Sequence, residues 1–234
     1  MTTTPTPRQP GRHYDYETDG QAIYRASFAT IRAEAEALYA AGLPRPPADL
    51  ATVAVRVAHA AGDVDVLRDV AAHPDVVTAA RAALASGAPI LTDSQMLAQG
   101  VTRRRLPADN AVVCTLRDAR VAELAQSWAT TRSAAAVSLW GDLLAGAVVA
   151  FGNAPTALFH LLELLMDDPR GPRPAAIIGM PVGFVGSAES KVALAEHRLS
   201  DGTVIPWLVI HGRRGGSAMA AAALNALATE SELA

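Results

Sequence analysis

Cysteine is nearly absent: Cys114 alone stands in 234 residues. That excludes an internal disulfide and any metal site assembled from several thiolates, and it suits a reducing cytoplasm, where the chain is expected to reside. Aromatic residues make up only 5% of a chain that is 50% hydrophobic, so its apolar content is aliphatic. Charge of one sign is also lacking. Twenty Lys and Arg face 23 Asp and Glu, a net charge of −3, which argues against a general nucleic-acid-binding or membrane-surface protein. No segment reads as a membrane span, although Leu143 to Leu162 carries no formal charge, because Gly152, Asn153 and Pro155 interrupt its middle. The start, Met1 to Arg12, is Thr/Pro-rich and polar, without an export-signal core, and reads as a flexible tail before a single domain at residues 13–234. No internal repeat, H-E-x-x-H, nucleophile elbow or G-x-x-x-x-G-K-[ST] loop is present. The expected chemistry therefore needs no metal, cofactor or covalent nucleophile.

What is present is an ordered, aliphatic chain whose first third is helical. From Asp19 to Ala41, the residues Ile23, Ser27, Ile31, Ala35 and Leu38 fall on one helical face, with Gly42 and Pro44 as the stop. This places Ser27 on the side expected to be buried. A second helix over Pro47 to Ala61 carries a narrow apolar stripe of Leu50, Val53, Ala54, Val57 and Ala61, ended by Gly62. Arg56 and His59 are neighbours at i, i+3 and lie off that stripe. A third helix follows Pro74 and closes at Gly87.

Beyond Pro89, short β-rich runs alternate with helical patterns. Strands are expected at Pro89 to Asp93, Ala111 to Thr115, Ala147 to Phe151, Ala175 to Gly179 and Pro206 to Ile210, several of them wholly apolar. The fold class that follows is α/β: an open, mainly parallel five-stranded sheet with helices on both faces and extra N-terminal helices. Ligands of such sheets bind outside the carboxyl ends of the strands. Asp93, Gly152, Asn153 and the turn from Gly212 to Ser217 stand there, so Asp93, Gly152, Asn153, Arg213, Arg214 and Gly216 are candidate ligand contacts. Thr131 and Arg132 join them, because a cation at a capped helix start opposes the helix dipole and makes better sense beside an anionic ligand.

Each candidate has a plainer reading. The Gly212 to Ser217 turn offers helix N-terminal amides and two arginines to a carboxylate or phosphate, or is a solvated strand-to-helix turn. Gly152 to Thr156 can be a tight connection with Pro155 in the first helical turn. The glycines of Gly179 to Gly186 have the wrong spacing for a dinucleotide site. Arg103, Arg104 and Arg105 stand near a predicted loop, where most arginines are merely solvated. Of six histidines, His59 is set apart by sharing a helix face with Arg56.

Taken together and in order, these segments resemble precorrin-8X methylmutases. The matching runs are Y-D-Y (Tyr14 to Tyr16), S-F-A-T-I-R-A-E (Ser27 to Glu34), A-V-R-V-A-H-A-A-G (Ala54 to Gly62) and G-A-P-I-L-T-D (Gly87 to Asp93). T-R-S-A-A-A (Thr131 to Ala136), G-N-A-P-T-A-L-F (Gly152 to Phe159), G-M-P-V-G-F-V-G-S-A-E-S-K (Gly179 to Lys191) and G-R-R-G-G-S-A-M-A (Gly212 to Ala220) complete the set. The resemblance implies migration of a methyl group from C11 to C12 of a tetrapyrrole, converting precorrin-8X to a tightly held product, hydrogenobyrinate, in cobalamin biosynthesis. It implies that His59 is the acid/base residue, that Ser27 and Arg56 contact substrate, and that the protein is a homodimer with active sites at the subunit interface. Ala61 stands where many relatives have cysteine.

The residues suit that implication. A sigmatropic methyl shift needs one positioned acid, and histidine titrates nearest neutral pH. Acetate and propionate side chains on the macrocycle call for arginines, for which Arg56, Arg132, Arg213 and Arg214 are the candidates. The alternatives are a non-catalytic corrinoid-binding or shuttling protein, an isomerase of the cobalt-containing precorrin-8, and an enzyme holding a phosphorylated substrate at a helix-terminal anion site.

Overall fold

The computed structural model describes residues 8–229, and the first seven residues of the polar N-terminal segment lie outside them. Helix α1 (Gly20–Ala40) starts where Asp19 caps it, its carboxylate accepting from the Gln21 amide at 2.8 Å. The buried face is Phe28, Ile31 and Ala35. This differs from the expected stripe: Ile23 is 48% exposed and Ser27 is half-buried. Positions spaced by four drift around a helix of 3.6 residues per turn, and the first two turns of α1 have no core beneath them. Helix α2 (Ala48–Ala61) buries Leu50, Val53, Ala54, Val55, Val57 and Ala58, and leaves Arg56 and His59 off the buried face as expected. Helix α3 (Val76–Ala85) follows.

The sheet has six strands: β1 (Val70–Ala72), β2 (Ile90–Thr92), β3 (Val112–Val113), β4 (Val148–Phe151), β5 (Ala176–Gly179) and β6 (Trp207–Ile210), in the order β1-β6-β5-β4-β2-β3. All five expected strands are present and mutually parallel. The addition is β1, an antiparallel edge strand pairing Val70 with Ile210. Three residues between Asp69 and His73-Pro74 are too few to display alternation in sequence. The apolar segment around Gly152 resolves into β4 and a helix starting at Pro155, and among the described residues no helix is long and apolar enough to cross a membrane.

Strands β2, β4 and β5 are buried throughout, and their alternate residues feed two cores. Val148, Ala150 and Ile178 face the layer of α1, α2, α3, α4 (Gln95–Gly100) and α9 (Ser217–Ala228). Val149, Phe151 and Ile177 face the layer of α6 (Arg132–Val137), α7 (Pro155–Asp167) and α8 (Ser187–Glu196). The short α5 (Val121–Ser127) packs beside α6.

The layers are joined at the carboxyl edge of the sheet. Ser94 caps α4 by accepting from the Leu97 amide at 3.2 Å, and its hydroxyl lies 3.0 Å from that of Ser217, which opens α9. Gly152 packs so closely on this start that a Cβ there would lie 2.6 Å from the Ser217 Cα.

Candidate active site

His59 is the exposed residue on α2 that faces α1, and its surroundings follow from helix periodicity. Ser27 and Phe28 are adjacent on α1, with Tyr24 one turn earlier. The Ser27 hydroxyl lies 2.9 Å from His59 Nδ1. The edge of the imidazole meets the Phe28 ring with centroids 5.2 Å apart, and Tyr24 covers it at 5.5 Å. Phe28, 2% exposed, also carries the Arg56 guanidinium 5.4 Å from its ring centre. One buried phenyl thus supports both side chains, and Ser27 fixes the imidazole's orientation through Nδ1. Nε2 is the ring nitrogen that Ser27 does not engage.

Two clefts meet at His59. One, of about 360 Å³, is lined by Tyr24, Arg56, His59, Arg104, Arg105 and Asn225, with the small residues Ala218, Ala221 and Ala222 of α9 as a wall. The other, of about 430 Å³, runs from Ser27 and Glu34 past His59 to Gly62 and Asp63. The first cleft is strongly cationic. Burial pushes the Arg105 guanidinium below its ordinary value, and the neighbouring charges of Arg56 and Arg104 push it further in the same direction. Three guanidiniums converging beside a histidine form a setting for several carboxylates. Sequence reasoning passed over Arg104 and Arg105 as solvated. It missed Tyr24, whose only signal is its place three and four residues before Ser27 and Phe28.

The strand-end candidates are elsewhere. Asp93 is 3% exposed, and its carboxylate accepts from the backbone amides of Gly152 at 3.0 Å, Asn153 at 2.8 Å and Ala154 at 2.7 Å. Burial pushes this carboxyl up, and the three amides pull it back. The donors expected to face a ligand therefore face Asp93. Likewise the Gly216 amide donates to the Met180 carbonyl at 2.8 Å. Thr131 is the cap it was expected to be, accepting from the Ala134 amide at 3.1 Å, and its hydroxyl meets that of Thr156 at 2.8 Å. Arg132 is exposed, with Nη2 3.5 Å from the Leu116 carbonyl.

Arg213 lies over the Phe184 ring at 5.3 Å, and Arg214 pairs with Asp63 at 3.4 Å and Asp69 at 3.5 Å. Their loop is held from beneath by Lys191, fully buried, whose ammonium donates to the carbonyls of Gly212, at 2.9 Å, and Arg214. Burial pushes Lys191 down to about 8. Neither Arg132, Arg213 nor Arg214 lines the two clefts at His59. Among the described residues no three of His, Cys, Asp and Glu are grouped to hold a metal ion.

A precorrin-8X methylmutase family model (CbiC) matches residues 22–230. The chain is 58% identical over 215 residues to a precorrin-8X methylmutase from Sinorhizobium sp., covering 92% of this chain and 97% of that one. It is 38% identical over 181 residues to a cobalt-precorrin-8 methylmutase from Methanothermobacter thermautotrophicus, covering 77% of this chain and 80% of that protein. The fold is similar to the crystal structure of a precorrin-8X methylmutase from Thermus thermophilus, with a TM-score of 0.72 and 38% identity over 88% of this chain and 95% of that one. Matched along nearly its whole length in sequence and in fold, the chain belongs to the precorrin-8X methylmutase family.

Proposed function

We propose that this isomerase of cobalamin biosynthesis moves the methyl group from C11 to C12 of precorrin-8X, with His59 as the acid/base residue, and yields hydrogenobyrinate. The observation that carries the reading is the 2.9 Å contact between Ser27 and His59 Nδ1, set where two clefts meet beside three arginines. In this reading the protonated ring uses Nδ1 to hold Ser27 and presents Nε2–H to the macrocycle. Proton donation makes the conjugated system electron-poor and so assists a methyl shift that needs no nucleophile. The proton returns to the ring once the new tautomer is in place. Arg56 takes a side-chain carboxylate of the substrate, while Phe28 and Tyr24 keep water from one side of the imidazole. The apolar sides of the clefts accept the flat ring.

The site is open in a single chain. His59 is exposed, and Tyr24 beside it and Ile23, the preceding residue of α1, are each 48% exposed. These features support a homodimer with the active sites at the subunit interface. Arg132 and Arg213, which do not line these clefts, reach substrate in this scheme only from a partner subunit. The reaction proceeds in the cytoplasm, and the 58% identical relative named for precorrin-8X favours that substrate over its cobalt form.

The test is spectral conversion of precorrin-8X, and of cobalt-precorrin-8, by wild type and by His59→Ala. Wild type is expected to convert precorrin-8X. The variant should lose about 10²- to 10⁴-fold in kcat, the usual worth of a positioned general acid, while still binding product. Undiminished turnover in His59→Ala removes the acid role. Binding without conversion by wild type identifies a corrinoid carrier instead.

A further inference from the structure

The cationic cleft has on one side a loop whose ends, Val101 and Leu106, pack on the core while its arginine tip does not. Between α4 and β3 the chain turns through Arg103, Arg104 and Arg105, none of them buried, and three consecutive like charges resist being held together. What fastens the tip of this loop is Asn225, on the last turn of α9. Its Oδ1 accepts from the Thr102 amide at 2.8 Å, and its Nδ2 donates to the Gly100 carbonyl at 3.0 Å. Arg105 Nε donates to the backbone carbonyl of the same residue at 3.3 Å.

The primary amide is matched to this task. Gly100 ends α4 and leaves a carbonyl with no helical partner, while Thr102 opens the next turn with an unmatched amide. One side chain carrying both an acceptor and a donor at this reach satisfies the pair. The loop can approach because Gly100 has no Cβ, which would lie 2.7 Å from that of Ala221. Asparagine has no advantage as a helix former, so its presence in α9 calls for such a reason.

Resting on the reading of the cleft as a carboxylate-binding site, we propose that Asn225 is a positioning residue for substrate affinity, clamping the Arg104–Arg105 loop to α9 so that both guanidiniums line the cleft beside Arg56 and His59. Arg104 and Arg105 then take carboxylates of the tetrapyrrole. Asn225 acts through them and leaves the proton chemistry at His59 untouched.

The experiment compares wild type, Asn225→Ala, Arg105→Ala and the double variant in steady-state conversion of precorrin-8X, with amide hydrogen exchange followed at Thr102 to Leu106. Each single variant should raise KM about tenfold with kcat within about twofold, and the double variant should raise it by less than the product of the two single effects, because the Arg105 contribution is lost only once. Exchange at Thr102 should quicken at least about tenfold in Asn225→Ala. Should Asn225→Ala not fold, Thr102→Pro removes the same hydrogen bond from the loop side. Thr102 has φ −80° and Val101 is extended, so the backbone admits proline, and the same rise in KM is expected. Unchanged exchange, an unchanged KM, or losses that fall on kcat and add in the double variant would each overturn the proposal while wild-type turnover leaves the functional reading intact. Wild type that converts no precorrin-8X overturns that reading, and the substrate role of Asn225 with it.

Discussion

A charged side chain with no exposure needs a reason, and Lys191 has one in the two carbonyls it holds under the arginine-bearing loop. Its folded-state value of about 8 lies below the ordinary 10.5. Between those values the unfolded chain binds more protons than the folded one, so this group's contribution rises with pH from about 8 to 10.5 and is smallest below pH 8. Urea unfolding of wild type and Lys191→Met across that window should show a stability difference shifting in favour of wild type by up to about 3 kcal/mol. Parallel curves would show that the ammonium is not desolvated. Legibility at this scale was uneven. His59 and Arg56 were visible because an i, i+3 pair stood off an apolar stripe. Ser27 was visible only through its motif, since its partner lies 32 residues away. Asn225 offered no pattern, because a clamp across more than a hundred residues leaves no local spacing.

The elements were more readable than their faces. Five strands and the long helices could be placed from apolar runs and glycine or proline stops, because those signals are local. The buried face of α1 came out rotated, since which turns meet the core depends on where α2, the helix it packs on, begins and ends. The loops after the strands were read as ligand-facing because open sheets bind ligands there. Here the backbone amides of Gly152 and Gly216 instead bind the loops to one another, and Gly152 is one of the close approaches. Gly152→Ala would drive a methyl group to 2.6 Å from the Ser217 Cα, backbone that cannot swing away. It should destabilise the protein by about 1–3 kcal/mol, and the shift of α9 should lower substrate affinity as well. Thermal unfolding indistinguishable from wild type would mean the contact is slack.

At the scale of the whole molecule, the two helical layers do different work. The layer of α1, α2, α4 and α9 holds the histidine and its arginines, whereas the other supports the sheet from behind. An exposed acid and exposed apolar neighbours on α1 predict that wild type has the mass of two chains by light scattering. Turnover per chain should fall on dilution through the dissociation range. A fully active monomer would show that one chain closes its own site.

Asp93 gives the sheet edge a further property. Where many open sheets await an anion from solution, this chain ties one in covalently, at an effective concentration that no free ion reaches. The junction therefore carries its own ligand and needs no anion from the solvent. Removing that tethered anion should make the need visible. In Asp93→Ala, three convergent amides would be left as a vacant oxyanion socket. Formate added in the millimolar range should then raise the melting temperature of the variant and leave wild type unmoved.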